Sequence, residues 1–176
     1  LQLTINDGSS TSQRSDWEVR EILIWNTHLS SSEFQSAYEN LNKAEMPIDN
    51  PSWPRSSNLI GWYHASTFSN SGGGTGTVWP NSHGSLGSAS VTRGTVSSVF
   101  PSIDSNGLNF NRSDKESANL GTTNIGGTMT FAVWCNVHSV GNWQRLFDFG
   151  NGPSSDNILL SAAHGTSNQL VASVRV

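Results

Sequence analysis

A single cysteine, Cys135, stands among 176 residues, so no intrachain disulfide can form and folding has to rest on burial. Charge is equally scarce. Only 12% of residues are charged, nine Lys and Arg against thirteen Asp and Glu, for a formal charge of −4. The basic residues form no cluster, which argues against nucleic acid or an anionic membrane surface as partner. No apolar run is long enough to span a bilayer, and neither a signal peptide nor an initiator Met is visible. The chain starts and stops inside strand-like segments and reads as part of something longer.

What is abundant points the other way from a helical bundle. Seventeen Gly, with Ser, Thr and Asn throughout, fit many short strands joined by polar turns, so the fold class is all-β. In MTFAVWCNV, Cys135 alternates in phase with Met129, Phe131, Val133 and Val137 and is expected as a buried free thiol, with Thr130 on the opposite face, which is either open to solvent or covered in its turn. One helix stands out. Asp16 to Leu41, DWEVREILIWNTHLSSSEFQSAYENL, reads as a strand over Trp17 to Trp25 followed by a capped helix. Ser30 is the N-cap with Glu33 three residues on, Leu29 and Phe34 are placed as a hydrophobic staple, and Phe34, Ala37, Tyr38 and Leu41 form one apolar stripe.

That block resembles the closing strand and helix of laminin-G-like domains of the concanavalin A-like lectin/glucanase superfamily, through Glu21, Ile22 to Ile24, Trp25, Asn26, Leu29, Ser30 and Glu33. The opening of such a domain follows later in the chain. Leu59 to Ala65 resembles its first strand and Val78 to Gly84 its Trp-x-Asp-x-Ser-Gly turn, with Asn81 in place of the commoner Asp. Gly107 to Phe110, Thr128 to Val137 and Trp143 to Gly150 resemble its central strands. The resemblance implies a jelly-roll sandwich of antiparallel sheets with one short peripheral helix. It divides the chain into residues 1–46, closing strands and helix; residues 47–58, a stiff linker with prolines at 47, 51 and 54; and residues 59–176, an opening and centre without the usual last strands. Three arrangements follow: the sequence cuts across the end of one domain and the start of the next, or residues 1–46 complete the sandwich of their own chain as a permuted domain, or they complete that of the next copy.

The chemistry-bearing residues are sparse. Asp16, Glu18 and Glu21 reproduce the carboxylate spacing of a glucanase Glu-x-Asp-x-x-Glu motif, but in a regular strand Glu18 and Glu21 point to opposite faces. Only a bulge would bring them together, and the expectation is solvated edge charges. His28, His64, His83, His138 and His164 show no metal-ligand spacing and read as surface or turn residues. The Gly-rich loop Ser69 to Thr77 lacks the Lys and following helix of a phosphate loop. The resemblance admits calcium held in rim loops; Asp7, Asp148 and Asp156 are candidates without an ordered ligand series, so no metal site is assigned and no cofactor is expected. Of seven Trp, Trp17 and Trp25 fall in phase on one strand and are expected in the core with Trp62 and Trp134. Trp53 and Trp79 are the two expected to be exposed, as sugar-stacking rings or as staples of linker to sandwich. Asn111-Arg112-Ser113 is an N-glycosylation sequon.

These readings lead to a non-enzymatic structural module of an extracellular or cell-surface repeat protein or filament, assembling with other copies or neighbouring repeats by strand complementation. A carbohydrate-binding adhesin or lectin module that takes glycans is the second expectation, and a glucanase-like glycosidase a distant third.

Overall fold

The structure is a computed structural model, and it describes residues 2–6, 16–43, 52–69, 77–92, 101–114, 116–123, 127–141, 144–150, 157–163 and 169–175. Asp7, Asp156, His164, Trp143, residues 47–51 of the proline-rich linker and residues 70–76 of the Gly-rich loop lie outside them. The strands are β1 (Gln2–Ile5), β2 (Asp16–Trp25), β3 (Leu59–His64), β4 (Thr77–Trp79), β5 (Ala89–Thr92), β6 (Ser102–Ile103), β7 (Leu108–Phe110), β8 (Ser117–Thr122), β9 (Thr130–Ser139), β10 (Arg145–Gly150), β11 (Asn157–Ser161) and β12 (Val171–Arg175), with one helix, α1 (Ser31–Leu41). All strand pairs are antiparallel. They form an all-β sandwich of two sheets.

The first sheet runs β12-β11-β10-β1-β8-β5-β4. In the second, β2 is the hub: β9 pairs along one edge over its full length, while β3 and β7 share the other edge and β6 follows β7. Residues 1–46 thus supply an interior strand to each sheet, β1 between β10 and β8 and β2 between β9 and the β3/β7 pair. Both pairings are made with strands of residues 59–176 of the same chain.

Between the sheets lies a core of Leu3, Ile5, Trp17, Val19, Ile22, Ile24, Tyr63, Trp79, Leu108 and Phe149, among others. A second cluster covers the outer face of the β2 sheet: Leu23, Trp25, Leu29, Ala37, Leu41, Trp53, Leu59, Trp62 and Ala132. One strand feeds both, and the cause is a bulge. The β2–β9 register shifts between Val19 and Glu21, leaving Arg20 as the extra residue. Before it the odd-numbered Trp17 and Val19 point inward; after it the even-numbered Ile22 and Ile24 do. Trp17 and Trp25 therefore lie on opposite faces, and the regular alternation expected for this strand does not hold.

The helix is built as its sequence indicates at its start. Ser30 caps it, accepting from the Glu33 N–H at 3.3 Å, while the Glu33 carboxylate accepts from the Ser30 N–H at 2.8 Å, a complete capping box. The stripe is only half used. Ala37 and Leu41 are buried, whereas Phe34 and Tyr38 stay about half exposed, so the expected Leu29–Phe34 staple leaves its Phe in solvent. Ser30→Ala is expected to cost about 0.5–2 kcal/mol in urea unfolding without loss of the fold. A loss of all cooperative unfolding would show α1 to be more central than its position on the outer face implies.

β9 is the edge strand of its sheet, and this modifies two expectations. Phe131, Val133, Cys135 and Val137 do face the inter-sheet core, but each is only partly buried, and among the described residues no further strand covers that side. Cys135 is a free, half-buried thiol, its pKa pushed up to about 11 by burial. The opposite face is not bare. Thr130 donates to the Thr27 carbonyl at 2.9 Å and accepts from the Leu29 N–H at 3.1 Å, and Ala132 lies under α1. Phe131→Ala, removing a ring packed at a tilt against Phe147 and Phe149, should cost about 2–3 kcal/mol, below the range for a fully buried Phe. Thr130→Ala should cost about 1–3 kcal/mol by unpairing two backbone groups. Chemical denaturation of the two variants should therefore give comparable losses; a near-neutral Thr130→Ala would mean its hydrogen bonds are replaced by water.

Asn81 in the Val78 to Gly84 turn explains its own identity. Its side-chain oxygen accepts from the Trp62 and His83 N–H groups at 2.8 and 3.2 Å, and its amide nitrogen donates to the Leu86 and Ile60 carbonyls at 2.6 and 3.3 Å. An Asp could make only the first two. Gly84, at φ +106°, rests on the Ile60 backbone so closely that a Cβ would lie 2.3 Å from its carbonyl carbon.

Candidate functional site

Two surfaces carry chemistry or shape beyond what folding requires. The first is the outer face of β2 around the bulge. Because Arg20 is the extra residue, Glu18 and Glu21 share this face, an arrangement that depends on the bulge. They are not solvated edge charges. Glu18 is 6% exposed with an oxygen 3.2 Å from His138 Nε2, and Glu21 is 1% exposed with an oxygen 3.3 Å from His64 Nε2. Asp16 fastens a corner, accepting from the Arg112 N–H at 2.7 Å and the Ser139 hydroxyl at 2.9 Å. Sequence spacing reveals none of this, since His64 and His138 meet these carboxylates only through the β2–β3 and β2–β9 registers.

Burial raises the Glu21 pKa to about 7 against the opposing charge of Arg20 and the nearby indole of Trp62. The same burial, helped by Arg20, lowers that of His64. His64 Nδ1 accepts from the Ser66 N–H at 3.2 Å, which leaves Nε2 to carry the proton toward Glu21. Near neutrality Glu21 is thus shared between its carboxyl and carboxylate forms, fully buried against a partly buried imidazole that burial keeps from charging. The Arg20 guanidinium lies 4.9 Å over the Trp134 ring, so Trp134 stands half-buried on the outer face and not in the core. Beside it lies a depression of about 500 Å³ lined by Glu18, Arg20, Ser105, Asn106, Trp134 and Asn136 among others. A second polar hollow of about 600 Å³ holds Asp16, Asp104, Asp114, Glu116 and His138. Among the described residues no group of three His, Cys, Asp or Glu is placed to hold a metal ion.

The remaining sequence candidates are distributed elsewhere. Trp53 and Trp79, expected to be exposed, are 4% and 0% exposed. Trp53 packs edge-on against Trp62, ring centroids 5.8 Å apart, and fastens the described end of the linker to the outer cluster, where the Trp25 indole also donates to the Pro54 carbonyl. Trp79 packs on Tyr63 and donates to the His64 carbonyl at 2.9 Å. Neither offers a ring face to a pyranose. Asn111 is exposed at the head of the turn after β7, its side-chain oxygen accepting from the Ser113 N–H at 2.8 Å. Asp148 is buried in an ion pair with Arg145. His28 and His83 are exposed.

The second surface is apolar and lies between α1, β9 and the β11–β12 end of the larger sheet. Phe34, Tyr38, Leu170 and Val174, four of the most exposed large hydrophobic side chains among the described residues, line it together. Composition conceals this surface, because each residue sits on an ordinary amphipathic element.

No protein-family model, curated protein or solved structure matches the chain.

Proposed function

We propose that the chain is a non-enzymatic structural module of an extracellular repeat protein or filament, a sandwich of laminin-G-like type whose neighbouring copies complete one another by exchanging residues 1–46. One observation carries this reading: that single N-terminal segment supplies an interior strand to both sheets and is joined to the rest through residues 47–58 alone. A segment so placed can occupy its own sandwich or the next copy's with the same contacts, which makes exchange cost little beyond the connection itself. The burial of Glu21 against His64 supports the non-enzymatic part, since a pair of carboxyls open to a glycosidic oxygen is then lacking on this strand.

Mixing tagged and untagged full-length chains at high concentration tests it. Assemblies should grow with concentration and contain both forms, with no binding on a glycan array. A chain that never exchanges and binds glycans would replace this reading by the second one, a carbohydrate-binding module. The polar depression beside Trp134 favours that alternative, and Asn136→Ala should then weaken glycan binding.

A further inference from the structure

The two sheets do not end together. Ala172 and Val174 of β12 are paired with Leu160 and Ile158 of β11 and share their inward-facing side, yet Val174 is 71% exposed and the preceding Leu170 66%. The opposing sheet stops at β9, which among the described residues pairs with β2 alone, so β12 overhangs without a strand beneath it. From the other side α1 reaches past the β9 edge with Phe34 and Tyr38. The result is a slot of about 590 Å³, walled by the overhang and by α1, with the free edge of β9 as its floor and no charged side chain in its lining.

The floor decides what fits. A row of unpaired backbone N–H and C=O groups is matched by an extended strand and by little else. Both walls are apolar, so that strand must be apolar on both faces. Residues 170–174, Leu-Val-Ala-Ser-Val, are apolar on one face (Leu170, Ala172, Val174) and carry Val171 with only the small Ser173 on the other, and among the described residues β12 pairs with β11 alone. We infer that the slot receives β12 of a second copy of this chain, in a closed twofold dimer. With the axis along the strands, each copy's overhang enters the other's slot. Each β12 then pairs with the partner's β9, the two inner rows meet face to face, and Phe34 and Tyr38 cover the outer face of the inserted strand. Both free edges are satisfied by one symmetric contact, and the contact closes on itself. One wall of this slot, Phe34 and Tyr38, belongs to residues 1–46, and it is present whether that segment comes from the same chain or from a neighbour.

Sedimentation of the full chain between about 1 μM and 1 mM, the range suited to a small interface, should show a reversible monomer–dimer equilibrium. Val174→Lys and Leu170→Lys place a charge where the monomer is open and the dimer closed. Each should weaken dimerisation by about tenfold or more while leaving circular dichroism and melting unchanged. Hydrogen exchange at residues 131–135 should slow as the dimer forms. A chain that stays monomeric throughout, a dimer indifferent to both lysines, or a dimer whose β9 amides exchange as in the monomer would overturn the inference. Exchange of residues 1–46 is read separately, because it should persist in Val174→Lys.

Discussion

Residues 59–176 on their own will not fold. Without β1 the larger sheet falls into β12-β11-β10 and β8-β5-β4, and without β2 the strands β9 and β3 lose the only neighbour each has among the described residues. The energetic loss is as large as the topological one. Leu3, Ile5, Trp17, Val19, Ile22 and Ile24 are all at most 3% exposed. At about 1.5–3 kcal/mol each they contribute about 9–18 kcal/mol, as much as the ~5–15 kcal/mol of net stability an ordinary domain possesses. Circular dichroism and hydrogen exchange of residues 59–176 should report an aggregating or largely unfolded chain. Added as a separate peptide, residues 1–46 should restore cooperative unfolding, because every contact they make is non-covalent. A monomeric, protected 59–176 fragment indifferent to the peptide would remove the basis for strand complementation.

Stability should fall, not rise, between pH 5 and pH 8. Burial raises Glu116 from 4.5 to about 7, aided by the charge of Asp114 and opposed by the Asn111 N–H that its carboxylate accepts at 2.6 Å. Glu21 is raised to about 7 as well. A carboxyl whose folded pKa lies above its unfolded one binds more protons in the folded state. Its contribution is therefore complete below about 4.5 and is lost as pH climbs through about 7. The shift corresponds to about 3 kcal/mol per group. His64, lowered by burial, acts in the opposite sense below its ordinary 6.5 and offsets part of the Glu21 effect. Urea unfolding should show the protein about 3–5 kcal/mol more stable at pH 5 than at pH 8. In Glu116→Gln roughly half of that difference should vanish. Equal stability at the two pH values would mean that both carboxyls ionise in the folded state as freely as in water.

The parts of this fold legible in the sequence are those with a local cause. The Ser30–Glu33 capping box, the strand over residues 16–25 and the inward phase of Phe131, Val133 and Cys135 follow from spacing within a few residues. What failed to show itself depends on partners far away. Whether Trp25 joins Trp17 is decided by one extra residue at Arg20, and nothing in the local pattern marks a bulge there. Trp53 was ambiguous because a proline-rich stretch can equally run free or be fastened, and only the outer cluster under α1 decides it. Glu18 and Glu21 as buried partners of His138 and His64 are likewise products of register. The apolar slot was hidden by its very ordinariness, since Phe34 and Tyr38 obey the helix period that should have buried them.

The interior position of β1 also sets the timing of folding. The Thr4 hydroxyl donates to the carbonyl of Asp148, 144 residues away in sequence, so β1 cannot take its place in the larger sheet until the chain through β10 has left the ribosome. At about 5–20 residues per second, residues 1–46 wait about 5–20 seconds for β10. For most of that interval β1 has neither β10 nor β8 to pair with, and its apolar Leu3 and Ile5 stay open to water.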